Sequence, residues 1–118
     1  MTTQGGWMIE SEPEVTEWAR GLTTEQFARA VFYVDLLEQQ GSLLSEPYTR
    51  QLRGKLRELR FHLETSQWRM TYYIGTRRRI VLLTVFRKTQ RREAHEIDRA
   101  ERAMNRCIDE RHLEEEAH

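Results

Sequence analysis

From Ile80 to Phe86 the chain reads Ile-Val-Leu-Leu-Thr-Val-Phe, seven residues without a charge. Charged residues make up 32% of the whole, so this run stands apart. It is far shorter than the roughly 18 to 20 apolar residues of a membrane span. Rich in β-branched residues and closed by charges, it reads as a central strand buried on both faces.

The residues before it alternate. Leu59, Phe61 and Leu63 alternate with Arg60, His62 and Glu64; Trp68, Met70, Tyr72 and Ile74 alternate with Arg69, Thr71 and Tyr73. Period two is the mark of strands with one buried face. Gly75-Thr76-Arg77-Arg78 is a hairpin turn candidate. Three consecutive strands joined by short turns make an antiparallel meander.

Upstream, Gly6 to Glu10 reads as a short first strand. Ser11 and Glu14 have capping-box spacing, with Pro13 in the first turn of a helix that carries Val15 and Trp18 and stops at Gly21. Thr23 and Gln26 form a second box, opening a helix to about Gln40. Its stripe of Phe27, Val31, Val34 and Leu37 is expected to face a core, with Gly41 ending it. Helical spacing returns from about Arg92 to Glu110, with Ala94, Ile97, Ala100, Met104 and Cys107 or Ile108 on one face. Residues 111–118, with three consecutive glutamates, are expected to fray as an acidic tail. The order is β-α-α-β-β-β-α in one domain spanning 1–118. The class is α+β, with the meander packed against helices.

The 19 Lys and Arg balance the 19 Asp and Glu over the whole chain, but not along it. Residues 1–49 carry net −6, residues 50–92 net +11 and residues 93–118 net −5. Two readings fit. Either the acidic ends neutralise the middle through surface pairs, or the block faces a polyanion. Eleven of its thirteen cations are arginine, suited to bidentate phosphate contact. That favours RNA as the partner, with Arg53, Lys55, Arg57, Arg77, Arg78, Arg79, Arg91 and Arg92 as contacts.

Alternation sets Arg60, His62, Arg69 and Tyr73 on the face opposite the apolar rows. Arg87, in phase with Val85 and Leu83, is expected there too, with Lys88 beside it. Arginines on adjacent strands repel unless an anion bridges them, so the cluster is a candidate phosphate site. Such a face suits metal-free RNA cleavage, in which the substrate's own 2′-OH attacks and fixed guanidiniums stabilise the added charge. Lys88, His62 or Tyr73 would handle protons. Tyr73 is equally readable as a cross-strand packing residue. Glu64 stands alone as a carboxylate, which leaves no pair for a metal. The single cysteine, Cys107, makes neither an internal disulfide nor a zinc site by itself, and His95, His112 and His118 lack metal-ligand spacing. No cofactor is expected. The first residues lack the basic and apolar regions of a secretory signal, so a cytoplasmic location is expected.

The segments EWARGL, LLEQQGSLL, EPYTRQLRGKLRELR, WRMTYY and IVLLTVFRKTQRREAHEIDRA together resemble the RelE/ParE toxin superfamily, in its HigB-like, phage-derived branch. The similarity spans roughly residues 7 to 108. It implies a RelE-like fold and a ribosome-dependent, metal-independent mRNA endoribonuclease of a type II toxin–antitoxin module. A separately encoded antitoxin would hold it inactive and bind the operator. The family's catalytic cations match Arg60, Arg69, Arg87 and Lys88. Branch members carry two lysines after the strand's phenylalanine; here the first is Arg87. Two alternatives stay open: a ParE-like inhibitor of DNA gyrase that performs no chemistry, and an RNA-binding module whose activity has decayed.

Overall fold

The computed structural model describes residues 6–89 and 93–117, with the backbone alone from residue 112. Strands β1 (Met8–Ser11), β2 (Thr49–Arg53), β3 (Leu56–Leu63), β4 (Ser66–Ile74) and β5 (Arg79–Arg87) form one mixed sheet in the order β1-β5-β4-β3-β2. β1 runs parallel to β5; every other neighbouring pair is antiparallel. Helices α1 (Pro13–Arg20) and α2 (Thr24–Gln40) cover one face and α3 (Glu93–Ala117) the other. Among the described residues, no helix is long and apolar enough to cross a membrane.

Helices on both faces explain β5. Ile80 and Leu82 pack with Val15 and Leu37 on the α1–α2 side. Val81 and Leu83 meet Ala100, Ala103, Met104 and Cys107 of α3 on the other. The uncharged run is buried from Ile80 to Phe86, as two covered faces require.

Three details depart from the sequence expectation. Thr49–Arg53 is an additional strand, so the meander has four strands rather than three. Its residues are mostly exposed, because it is the sheet's edge, and an edge strand carries little apolar signal. Ser11 is no N-cap: it ends β1, and Glu12 takes the cap position without a side-chain bond. Glu14 is used instead to close the sheet. β1 stops at Ser11, and beyond it the Val85 N–H donates to Glu14 Oε2 (3.0 Å) while Arg99 holds Glu14 Oε1 (2.5 Å). Phe27 and Val31 are 48% and 36% exposed rather than core; they line a groove of about 460 Å³ between α1 and α2, floored by Met70 and Leu82. α3 itself is helical from Glu93 to Ala117.

Other local readings hold. Thr23 and Gln26 make both bonds of the capping box. Gly41 follows α2 at φ 52°, and a Cβ there would lie 2.0 Å from the Trp7 ring. No side chain larger than hydrogen fits that approach.

Candidate functional site: an arginine pair bridged by a buried glutamate

Cross-strand register builds the site. Arg60 on β3 lies directly opposite Arg69 on β4, and His62 lies opposite Gln67. Alternation puts all four on the face shared with α3. Lys88 continues the ladder past the end of β5, its N–H donating to the Gln67 carbonyl at 2.7 Å. In phase with Phe86, which is opposite Arg69, Lys88 falls on the same face. The arrangement is two rows, Arg60–Arg69–Phe86 and His62–Gln67–Lys88, beside an open cavity of about 420 Å³ lined by Thr65, Ser66, Gln67, Arg87, Lys88 and Thr89.

The bridging anion that two facing arginines call for is within the chain. Glu58, two residues before Arg60 and therefore on its face, places Oε2 3.6 Å from Arg60 Nε and 3.8 Å from Arg69 Nε. Both guanidiniums thus fall inside the roughly 10 Å over which their repulsion is only partly screened. Glu58 and Arg69 are each 3% exposed. Burial pushes the Glu58 carboxyl above its usual value, against the pull of Arg69 and Arg60. Burial, and then the charge of Arg60, lower the Arg69 guanidinium. Arg69 also donates to the Trp68 carbonyl (3.1 Å) and to Gln67 Oε1 (3.3 Å). Glu58 and Gln67 were absent from the sequence candidates, although their even and odd positions in β3 and β4 share the parity of Arg60 and Arg69. The carboxylate singled out there, Glu64, instead occupies the exposed β3–β4 turn at φ 57° and accepts from Gln26.

Arg87 is not on this face. Between Thr71 and Tyr72 the β4–β5 register slips: Thr71 pairs Thr84 but Tyr72 pairs Leu82, leaving Leu83 extra. Every later residue of β5 reverses phase, so Arg87 sits opposite Trp68, exposed, on the α1–α2 side. Its place is the rim of the open cavity. Tyr73 is also removed from the set. It is 3% exposed in the α3 core, its hydroxyl donating to Cys107 Sγ at 3.2 Å, and burial drives it well above its ordinary value. It is the packing residue of the alternative reading.

The expected RNA contacts scatter. Arg53 pairs with Asp98 (2.6 Å) and Glu101 (3.1 Å) of α3, and Arg79 pairs with Glu10 (2.7 Å). Arg57 turns to the α1–α2 face and meets Tyr72 Oη (3.4 Å) and Thr49 Oγ1 (3.1 Å). Lys55 is exposed in the β2–β3 turn, and Arg77 and Arg78 in the β4–β5 turn, where Arg78 stacks 4.5 Å over Trp7. At about 3.3 Å per residue that second turn begins roughly 17 Å along β4 from Arg69. Arg91 and Arg92 lie outside the described residues. The acidic ends therefore do neutralise part of the basic block. Among the described residues, no three His, Cys, Asp or Glu side chains stand close enough to hold a metal ion.

Solved structures share this fold. A double arginine-to-alanine mutant of the E. coli toxin RelE in the free state matches at TM-score 0.56 and 16% identity, over 86% of this chain and 97% of its own. An archaeal RelE–RelB complex from Pyrococcus horikoshii matches at TM-score 0.55 and 16% identity, over 72% of this chain and 98% of that one. No curated protein matches the chain by sequence. A family model, "Phage derived protein Gp49-like (DUF891)", matches residues 17–105, from within α1 to the middle of α3 and across the whole site. The chain belongs to this phage-derived Gp49-like family and carries the fold of the RelE toxins.

Proposed function

We propose that the chain is the toxin of a type II toxin–antitoxin module, and that it cleaves mRNA on the ribosome without a metal. The observation that carries this is the facing pair Arg60–Arg69, with His62, Gln67 and Lys88 in the next row beside an open cavity. Cations at fixed positions stabilise the negative charge that develops on a phosphate under attack. In the reaction the ribose 2′-oxygen forms a bond to phosphorus, the bond to the 5′-oxygen breaks, and the 2′ proton leaves as another reaches the leaving oxygen. The products are a 2′,3′-cyclic phosphate and a 5′-hydroxyl. His62 and Lys88 are the proton-handling groups, with Lys88 the more important because it, and not His62, lines the open cavity. A RelE–RelB complex with this fold supports a separately encoded antitoxin as partner.

A second reading, a gyrase-binding inhibitor without chemistry, draws on one observation: the Arg69 side chain is only 4% exposed. One experiment separates them. Translating ribosomes are programmed with mRNA that is all-ribose or carries a single 2′-deoxy nucleotide at the cut site. All-ribose mRNA should be cut and the deoxy message spared, since DNA-like sugar lacks the nucleophile. Cleavage of the deoxy message would sink the mechanism; an uncut all-ribose message would favour the inhibitor. Lys88→Ala should slow cleavage more than His62→Ala.

A further inference from the structure

Two arginines directly opposite each other on adjacent strands destabilise a sheet. Here a single carboxylate answers both, and it is nearly as buried as a core leucine. Its distances to the two Nε atoms, 3.6 and 3.8 Å, exceed hydrogen-bond length. Arg69 Nε is buried without a hydrogen-bond partner, although the far end of its guanidinium is held by the Trp68 carbonyl and Gln67. The attraction is therefore charge without a completed bond. Arg60, a quarter exposed at its side chain, is the member of the pair that reaches solvent.

We propose that Glu58 is a positioning residue of this site: it holds Arg60 and Arg69 side by side and so presents the pair, Arg60 outermost, to a phosphodiester. A bound phosphate offers the exposed Arg60 guanidinium two acceptor oxygens at the hydrogen-bond length that the carboxylate does not reach, with the charge of buried Arg69 behind it. Glu58 then remains beneath the pair as the fixed charge that sets their separation. It touches neither the 2′-oxygen nor the leaving group. This rests on the RNA-cleavage reading above.

The consequence is a split between binding and turnover. Glu58→Gln keeps the side chain's shape and removes its charge, so the cluster gains one net positive charge while losing its spacer. RNA should bind several-fold more tightly, and kcat should fall about 10- to 100-fold, the scale of a misplacement near 1 Å. Glu58→Asp, which keeps the charge, should recover part of kcat. In a kinetic cycle with Arg69→Gln, the double variant should be no slower than Arg69→Gln alone, because both changes remove one arrangement.

The assay measures KM and kcat on programmed ribosomes with all-ribose mRNA, and affinity with the uncleavable 2′-deoxy message. The inference is overturned if the wild type cleaves and Glu58→Gln keeps its kcat, or if the Glu58→Gln and Arg69→Gln losses simply multiply. It is overturned equally if Glu58→Gln weakens RNA binding with kcat unchanged. Should Glu58→Gln fail to fold, Glu58→Asp decides, since full activity there would show that placement of the charge is irrelevant. A wild type that binds ribosomes but cuts no message refutes the cleavage reading itself, a result none of the variants could produce.

Discussion

At the scale of single residues, Arg69 shows how burial changes an inference drawn from charge. A cation removed from a like-charged cluster should cost little stability. Yet Arg69 is buried against a buried carboxylate and holds three groups together. Arg69→Ala should slow mRNA cleavage about 10²- to 10³-fold, the loss typical of one charge-stabilising donor, and relieve growth inhibition. It should also lower stability by about 1–3 kcal/mol in urea melts, because buried Glu58 loses one of its two close cations. Full toxicity of Arg69→Ala would refute its role, and unchanged stability would refute the buried pairing. Glu58 carries a pH signature of its own. Its carboxyl is raised above 4.5 in the folded chain, so folding favours the protonated form. The stability it contributes is present below about pH 4.5 and is lost as pH rises through the folded-state value. The melting temperature of Glu58→Gln should therefore gain on the wild type as pH is raised from 4.5 toward neutrality. Parallel curves would mean that burial and pairing cancel.

Among the elements, most boundaries follow from capping and periodicity, and the departures have local causes. Thr23 and Gln26 start α2 as their spacing demands. Ser11 and Glu14 have the same spacing but are diverted. The parallel pairing of β1 with β5 extends to Ser11, and the sheet edge beyond it claims Glu14. At the other end of α2, Gly41 combines positive φ with the close approach of Trp7, whose ring also carries Arg78. Gly41→Ala should cost about 1–3 kcal/mol by overpacking, with backbone strain in addition. Its signature would be a red-shifted and more quenchable Trp7 emission, most clearly read with Trp18 and Trp68 replaced by Phe. A melt within a few tenths of a kcal/mol of the wild type would show that the turn gives way at no cost.

For the molecule as a whole, the distribution of charge settles into two parts. Arg53 and Arg79 tie the basic middle of the chain to its acidic ends through Asp98, Glu101 and Glu10, and Arg99 ties the two acidic ends together through Glu14. Surface pairs of this kind contribute at most about 1 kcal/mol each and weaken in salt. Lys88, Arg60, Arg87 and His62 remain around one end of the sheet. If RNA binds there through phosphates, affinity should fall steeply between about 50 and 200 mM salt, through counterion release. With only about three cations at the site, the slope of log affinity against log salt should be near −2, the single-strand value for three phosphate contacts. A slope near zero would point to a protein target. One near −8 would mean that the whole basic block engages RNA.

What the amino-acid order determined alone is whatever depends on neighbours a few residues apart. Period two placed β3 and β4, the uncharged run placed β5, and Thr23, Gly21 and Gly41 bounded the helices. The same alternation put Arg60 and Arg69 on one face, correctly, and would have put Glu58 there as well. Three things were decided only by the tertiary structure. β2 exists because β3 offers it an edge, not because its own residues are apolar. Arg87 changed faces because one extra residue, Leu83, entered β5 opposite β4, and a period of two inverts every side chain beyond such a slip. Tyr73 became core because α3 lays Cys107 over its hydroxyl. Alternation fixes which side of a strand a residue takes relative to its neighbours; only packing decides what covers that side, and so whether a cation or a hydroxyl there meets RNA or another part of the chain.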